Sequence, residues 1–192
     1  MCRKARLSHP PHRSPSVFDN GFSFFRSLLH KPPIEATITS MIAVVQRVSK
    51  ASVTVEAEGY VRSIEQGLCI LLGAEEGDGI AEADWVAGKI ARLRIFNDDE
   101  DKMNLSVQDV GGSILLISQF TLTGNCDKGN RPSFVTAAHP EIAEPLVEFV
   151  RERLVAEHNI ETKCGIFGAK MNVEIHNDGP VTLIVERSPN DR

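Results

Sequence analysis

Gly67-Leu68-Cys69-Ile70-Leu71-Leu72-Gly73 is apolar at every position between its two glycines. A run with no polar face predicts a central strand covered on both sides. Upstream, Ala43-Val44-Val45-Gln46-Arg47-Val48 is a short β-rich run, and Val53, Val55 and Ala57 alternate with Thr54, Glu56 and Glu58, the period-2 pattern of a half-buried strand. Downstream the period lengthens. Ile80, Ala83, Ala87, Ile90 and Ala91 share one face of a helix expected over 80–95. Gly111-Gly112 then turns the chain into a second strongly β segment, Ser113 to Leu122. Ile142, Leu146, Phe149, Val150 and Leu154 predict a second helix within 140–157, with Pro140 suited to its first position. Pro145 lies awkwardly deep, since a proline there removes a backbone bond, so a kink or a later start is expected. At the end Met171, Val173 and Ile175 alternate, Asn177-Asp178-Gly179-Pro180 reads as a turn, and Val181, Leu183 and Val185 alternate back, which predicts a hairpin. Strands outnumber helices and no β-α-β alternation is sustained. The expectation is α+β, with a largely antiparallel sheet and two main helices on one side.

Composition bounds the rest. Of 192 residues 42% are hydrophobic and 24% charged, which excludes collagen-like, coiled-coil and fully disordered chains. No stretch approaches the ~18–20 apolar residues that span a bilayer, so no membrane partner is expected. The charge is uneven: residues 1–40 carry net +4 and the remainder −9. With five prolines and no steady hydrophobic period, 1–40 reads as an extension, either disordered or targeting, and 41–188 as the domain. The extension is Arg- and Ser-rich and acid-poor, like an organellar transit peptide; the alternative is that Met41 is the true first residue. The four cysteines form no C-x-x-C, and no H-x-x-x-H occurs, so free thiols in a reducing, cytoplasmic setting are expected, with no metal. No P-loop or dinucleotide fingerprint appears, and no cofactor is expected.

Two motifs could carry chemistry. Ser118-Gln119-Phe120-Thr121 ends a run that should be buried, where an unsatisfied polar group costs roughly 1–3 kcal/mol. The plainer reading is a strand end that reaches water. Asn177-Asp178-Gly179-Pro180 is made of common turn formers, and by frequency its Gly-Pro bond is expected trans, cis being ~5–6% of such bonds. A functional role would need the Gly179 carbonyl held rigidly and aimed at something.

These motifs, together with Met41-Ile42-Ala43-Val44-Val45-Gln46-Arg47-Val48, Ala51-Ser52-Val53-Thr54-Val55, Arg94-Ile95-Phe96, Lys102-Met103-Asn104-Leu105, Gly111-Gly112-Ser113, Arg131-Pro132-Ser133-Phe134 and Gly179-Pro180-Val181-Thr182, occur in one order over about three quarters of the chain. In them the chain, from Met41 to about Glu186, resembles the D-aminoacyl-tRNA deacylase (D-tyrosyl-tRNA(Tyr) deacylase) family. The resemblance implies a barrel-like core and a homodimer. It implies hydrolysis of the ester between a D-amino acid, or glycine, and the 3′-terminal adenosine of tRNA, a chirality-proofreading reaction in translation. It makes Ser118, Gln119, Phe120 and Thr121 the catalytic segment. It places Gly179 and Pro180 of the partner subunit, joined by a cis peptide, where their carbonyls exclude an L-side chain.

An aminoacyl ester is already activated, so little side-chain machinery is needed. Backbone N–H groups of Gln119, Phe120 or Thr121 could stabilise the oxyanion, and the substrate's 2′-hydroxyl could position water. Thr121 as covalent nucleophile is the competing view, but its motif holds no base to activate it. A body at −9 binds RNA poorly in general, so a local cationic track is required, for which Lys128, Arg131, Lys163 and Lys170 are candidates. Phe120, Phe167 and Met171 could form an apolar slot for adenine. The alternatives are a non-catalytic nucleic-acid-binding module and a related deacylase that removes a mis-attached L-amino acid.

Overall fold

The computed structural model describes residues 40–188, and the expectations for the extension and for the 1–40 boundary fall outside that range. The fold is organised by one long strand, β1 (Met41–Val55). It takes in the first of the runs expected upstream of Gly67 and the start of the second, whose alternation ends at Val55: Glu56–Glu58 form a 3-10 turn and Ala57 is exposed. Its first half pairs antiparallel with β3 (Gly67–Gly73) and its second half with β2 (Tyr60–Ile64). Its other edge is paired with β8 (Asn172–Arg187).

β3 is covered on both faces, as its composition predicts. Leu68, Ile70 and Leu72 face a core built with the two helices, while Cys69 faces a second core. β6 (Ser113–Ser118) lies beside β3 and divides the same way, Ile114 and Leu116 to one side, Leu115 and Ile117 to the other. The second core is closed by Val48, Ala51 and Val53 of β1 and by Ile64 of β2. The Tyr60 hydroxyl donates to Cys164 O at 2.8 Å and ties β2 to β7 (Thr162–Cys164), completing a nearly closed, barrel-like sheet. The short pair β4 (Phe96–Asn97) and β5 (Met103–Leu105) lies outside it. The architecture is α+β.

Helix α1 (Ile80–Arg92) stops three residues short of its expected end, where Leu93 turns extended. Ile80 is 56% exposed, so the apolar face begins at Ala83. Helix α2 (Pro140–Ala156) does begin at Pro140. Pro145 is accommodated because it faces solvent, where water can take the Glu141 carbonyl that proline leaves unpaired. Ile142 of the expected stripe is also exposed, and Ala143 packs in its place. The pairs β3–β6 and β6–β7 are parallel, with α1 and α2 in the crossovers, an alternation the sequence reading does not anticipate.

The expected terminal hairpin is not formed. Residues 172–187 make a single strand antiparallel to β1 throughout. Thr182 pairs with Gln46 and Asn177 with Val48, so the four residues Asp178 to Val181 stand opposite the single residue Arg47. The turn-forming residues make a bulge instead, and the alternation on either side belongs to one strand interrupted, not to two strands reversed.

Candidate active site

The parallel register sets Leu72 beside Ser118 at the ends of β3 and β6. The Gln119 N–H continues that ladder, donating to Leu72 O at 2.7 Å. The chain then tightens into a 3-10 turn over Phe120–Thr123. Leu122 N–H donates to Gln119 O (3.2 Å), and the Thr123 hydroxyl to Phe120 O (2.8 Å). As at any helical start, the first donors are left over: among the described residues nothing accepts from the N–H of Phe120 or Thr121. Of the three expected oxyanion donors, Gln119 is therefore already committed and the other two are open.

This segment borders a cavity of about 530 Å³. Ser118, Gln119 and Phe120 line one end, Phe167 and Met171 another, and α2 contributes Ala143 and Val147. No titratable side chain lines it. Thr121 is not among its lining residues, and its hydroxyl accepts from the Gln119 side-chain amide. Phe120 projects half-exposed and meets Phe134 edge-on, ring centroids 5.2 Å apart. Burial pushes the Cys69 and Cys164 thiols up to about 11, which leaves neither as a ready thiolate. A second hollow of about 460 Å³ shares Ser118, Val147 and Phe167 but is rimmed by Glu141, Glu144 and Glu148.

The other sequence-predicted residues lie apart from the cavity. Arg131 and Lys128 occupy the exposed loop between Asn125 and Ser133. Lys163 is spent on the Ser63 carbonyl (2.9 Å) and on Glu161. Lys170 directly precedes Met171 and is exposed. Gly179 and Pro180 do not line the cavity of their own chain.

The Gly179-Pro180 peptide is cis, against the frequency argument and in line with the resemblance. Gly179 has φ of +126°, a region L-residues rarely occupy. The bulge is pinned from beneath by Arg47, only 8% exposed. Its Nη1 donates to Ile95 O at 2.7 Å and Asn97 Oδ1 at 3.1 Å. Its Nε donates to Asp178 O at 3.1 Å and lies 3.2 Å from Asp178 Oδ2. The sequence reading passes over Arg47. The signal was there: an arginine inside the apolar run Ala43–Val48 must have partners if it is buried.

Known proteins resemble this chain closely. A sequence model of a family described as D-Tyr-tRNA(Tyr) deacylase matches residues 44–186. A D-aminoacyl-tRNA deacylase of Pelobacter propionicus is 56% identical over 147 residues, covering 77% of this chain and all of that relative. One of Geotalea daltonii is 53% identical over 146 residues, covering 76% of this chain and 96% of its own length. Among solved structures, one named c-Myc DNA Unwinding Element Binding Protein is 42% identical with a TM-score of 0.70, covering 77% of this chain and 99% of its own. A probable eukaryotic D-amino acid tRNA deacylase shares the fold at a TM-score of 0.67 and 13% identity, covering 77% of this chain and all of its own. With a family match over most of its length and relatives above 50% identity, the chain belongs to the D-Tyr-tRNA(Tyr) deacylase family.

Proposed function

We propose that this protein hydrolyses the ester of D-aminoacyl-tRNA, releasing the free D-amino acid and tRNA. The observation that carries the reading is the cavity itself: Phe120, whose N–H is open, lines one end, the open Thr121 N–H follows one residue on, and no acid, base or charged nucleophile lines it. Such a site suits a substrate that is already activated. The Phe120 and Thr121 N–H groups receive the oxyanion as the tetrahedral intermediate forms, an effect worth around 10²–10³ in rate per donor. The 2′-hydroxyl of the terminal adenosine positions the attacking water. Phe167, Met171 and Phe120 give the adenine an apolar slot. Glycyl-tRNA, lacking a side chain to exclude, is a further substrate on the same reading.

Stereochemical selection comes from a second copy of the chain. Gly179 and Pro180 are exposed on a bulge whose position Arg47 fixes, and they line neither of the two cavities described above. In a homodimer the carbonyls of Gly179 and Pro180 of the partner subunit close the cavity where an L-side chain would lie. Ile184 of β8, 66% exposed, supplies apolar surface for such an interface. The acidic rim of Glu141, Glu144 and Glu148 repels phosphate, so the tRNA strand approaches from the other side, past Lys170 and the loop with Lys128 and Arg131.

The test is cleavage of D- and L-tyrosyl-tRNA under the same conditions. Rapid loss of the D-ester alone is the expected result; cleavage of neither leaves a nucleic-acid-binding module, the role named for the 42%-identical structure. Cleavage confined to an L-ester would make it a relative of different selectivity. A second measurement concerns Thr121. Replacing it with Ala or Val keeps its N–H, so kcat is expected to fall by no more than about tenfold. A loss beyond ~10⁴ with the fold intact would make the hydroxyl the nucleophile.

A further inference from the structure

The two open donors of the 3-10 turn belong to peptides that are held from behind. A peptide is planar, with its C=O and N–H on opposite sides, so whatever holds the oxygen aims the hydrogen. The Phe120 N–H shares its peptide with Gln119 O, which accepts from Leu122 N–H at 3.2 Å. The Thr121 N–H shares its peptide with Phe120 O, which accepts from the Thr123 hydroxyl at 2.8 Å. The first hold is a backbone bond that any residue but proline supplies. The second needs a short side chain with a donor.

Thr123 is 5% exposed. Its methyl faces the end of β3: a Cβ at Gly73 would lie 3.5 Å from Thr123 Cγ2. With the methyl set there, the stiff β-branched side chain directs its hydroxyl at Phe120 O. The Thr123 carbonyl is held as well. The Thr136 hydroxyl lies 2.9 Å from Glu75 Oε1 and 3.3 Å from Thr123 O, so its one proton is shared between a carboxylate and that carbonyl. Thr136 is anchored in turn to the loop after β3, where Glu76 N–H donates to Thr136 O at 2.9 Å and Ala138 N–H to Ala74 O at 3.0 Å. The Glu75 carboxylate is buried, and its other oxygen accepts from Ser40 N–H at 2.6 Å. Thr123, Thr136 and Glu75 are not among the residues that line the cavity, so whatever they do there passes through the backbone.

We propose that Thr123 is a positioning residue for hydrolysis: its hydroxyl aims the Thr121 N–H at the oxyanion, and Thr136, fixed by Glu75, holds Thr123 in place. The inference rests on the deacylase reading and adds to it the side chains that preorganise one of the two donors. A preorganised donor needs no reorientation as charge develops, so the effect belongs to the chemical step and not to substrate binding.

The experiment measures kcat and KM for D-tyrosyl-tRNA, with melting temperatures, in the full chain carrying Thr123→Val or Thr123→Ser. Valine keeps the shape and the methyl and drops the donor; serine keeps the donor and drops the methyl. Thr123→Val is expected to lower kcat about tenfold, short of the 10²–10³ for losing such a donor outright, with KM moved by no more than about twofold. Thr123→Ser is expected to keep kcat within about twofold although a buried methyl is gone. A residue that matters for packing alone gives the reverse order. Thr136→Val should lower kcat about threefold and Thr136→Ser should restore it. Thr123→Val with Thr136→Val should be no slower than Thr123→Val alone, because both break one path. Losses that multiply overturn the link through Thr136, and a wild-type kcat in folded Thr123→Val overturns the proposal. If Thr123→Val does not fold, the Thr136 pair makes the same comparison. A wild-type chain that cleaves neither stereoisomer removes the deacylase reading and this inference with it; one that cleaves the D-ester regardless of the Thr123 hydroxyl removes this inference alone.

Discussion

Replacing Arg47 with Leu is expected to lower kcat/KM for D-aminoacyl-tRNA by about 10²-fold or more, to weaken discrimination against L-esters, and to cost about 2–3 kcal/mol of stability. The stability loss follows from the partners. The Ile95 carbonyl is left without its donor in a buried position, a penalty of roughly 1–3 kcal/mol. Breaking a wholly buried ion pair would cost about 3–5 kcal/mol, but Asp178 is 49% exposed and can rehydrate, so only part of that applies. The activity loss follows from position. Arg47 alone faces four bulged residues, and its Nε holds the carbonyl just before Gly179. Without it the bulge is tethered only at its two ends. Lysine keeps the charge but cannot donate at once to Ile95, Asn97 and Asp178, so Arg47→Lys should fall between. Melting temperature and cleavage of both stereoisomers check this. A general loss of folded protein would depress D- and L-cleavage together. Wild-type selectivity in a folded Arg47→Leu protein would show that the bulge does not discriminate.

The contrast between Arg47 and its surroundings also shows what the sequence could reveal. Gly67–Gly73 was legible because burial on both faces leaves no polar position to misread, and the strand packs into two cores as its composition demands. The helices were legible from their stripes, with errors at Ile80 and Ile142, where an apolar residue at a helix start faces solvent. The bulge was not legible. Asn177-Asp178-Gly179-Pro180 is turn chemistry, and nothing local says whether the chain reverses or resumes its direction. That is decided by β1, whose edge is long enough to pair on both sides of the interruption. The cavity was half legible: Ser118 to Phe120 and Phe167 and Met171 converge on it, but the choice of Phe120 and Thr121 over Gln119 as donors depends on the parallel register of β3 and β6.

That register also makes Gly73 a determinant of rate. Gly73→Ala is expected to reduce kcat by roughly 10²-fold while moving KM little. A Cβ at Gly73 would lie 2.9 Å from Gln119 O and 3.2 Å from Leu122 Cβ. Neither neighbour is the loose end of a side chain, so the turn must shift. The Gln119 carbonyl belongs to the same planar peptide as the Phe120 N–H. Moving the oxygen therefore re-aims one of the two open donors, and losing one such donor elsewhere costs 10²–10³ in rate. Thr121→Ala leaves that peptide in place, which is why its expected effect is much smaller. Gly59→Ala serves as the control. Gly59 has φ of +58° and open space around it, so alanine there is expected to cost about 1 kcal/mol of stability and nothing in kcat. Single-turnover cleavage of D-tyrosyl-tRNA, with melting temperatures for all three variants, separates these outcomes. An unchanged kcat in Gly73→Ala would mean that the Phe120 N–H does not face the reacting carbonyl, and the oxyanion would have to be received elsewhere in the cavity.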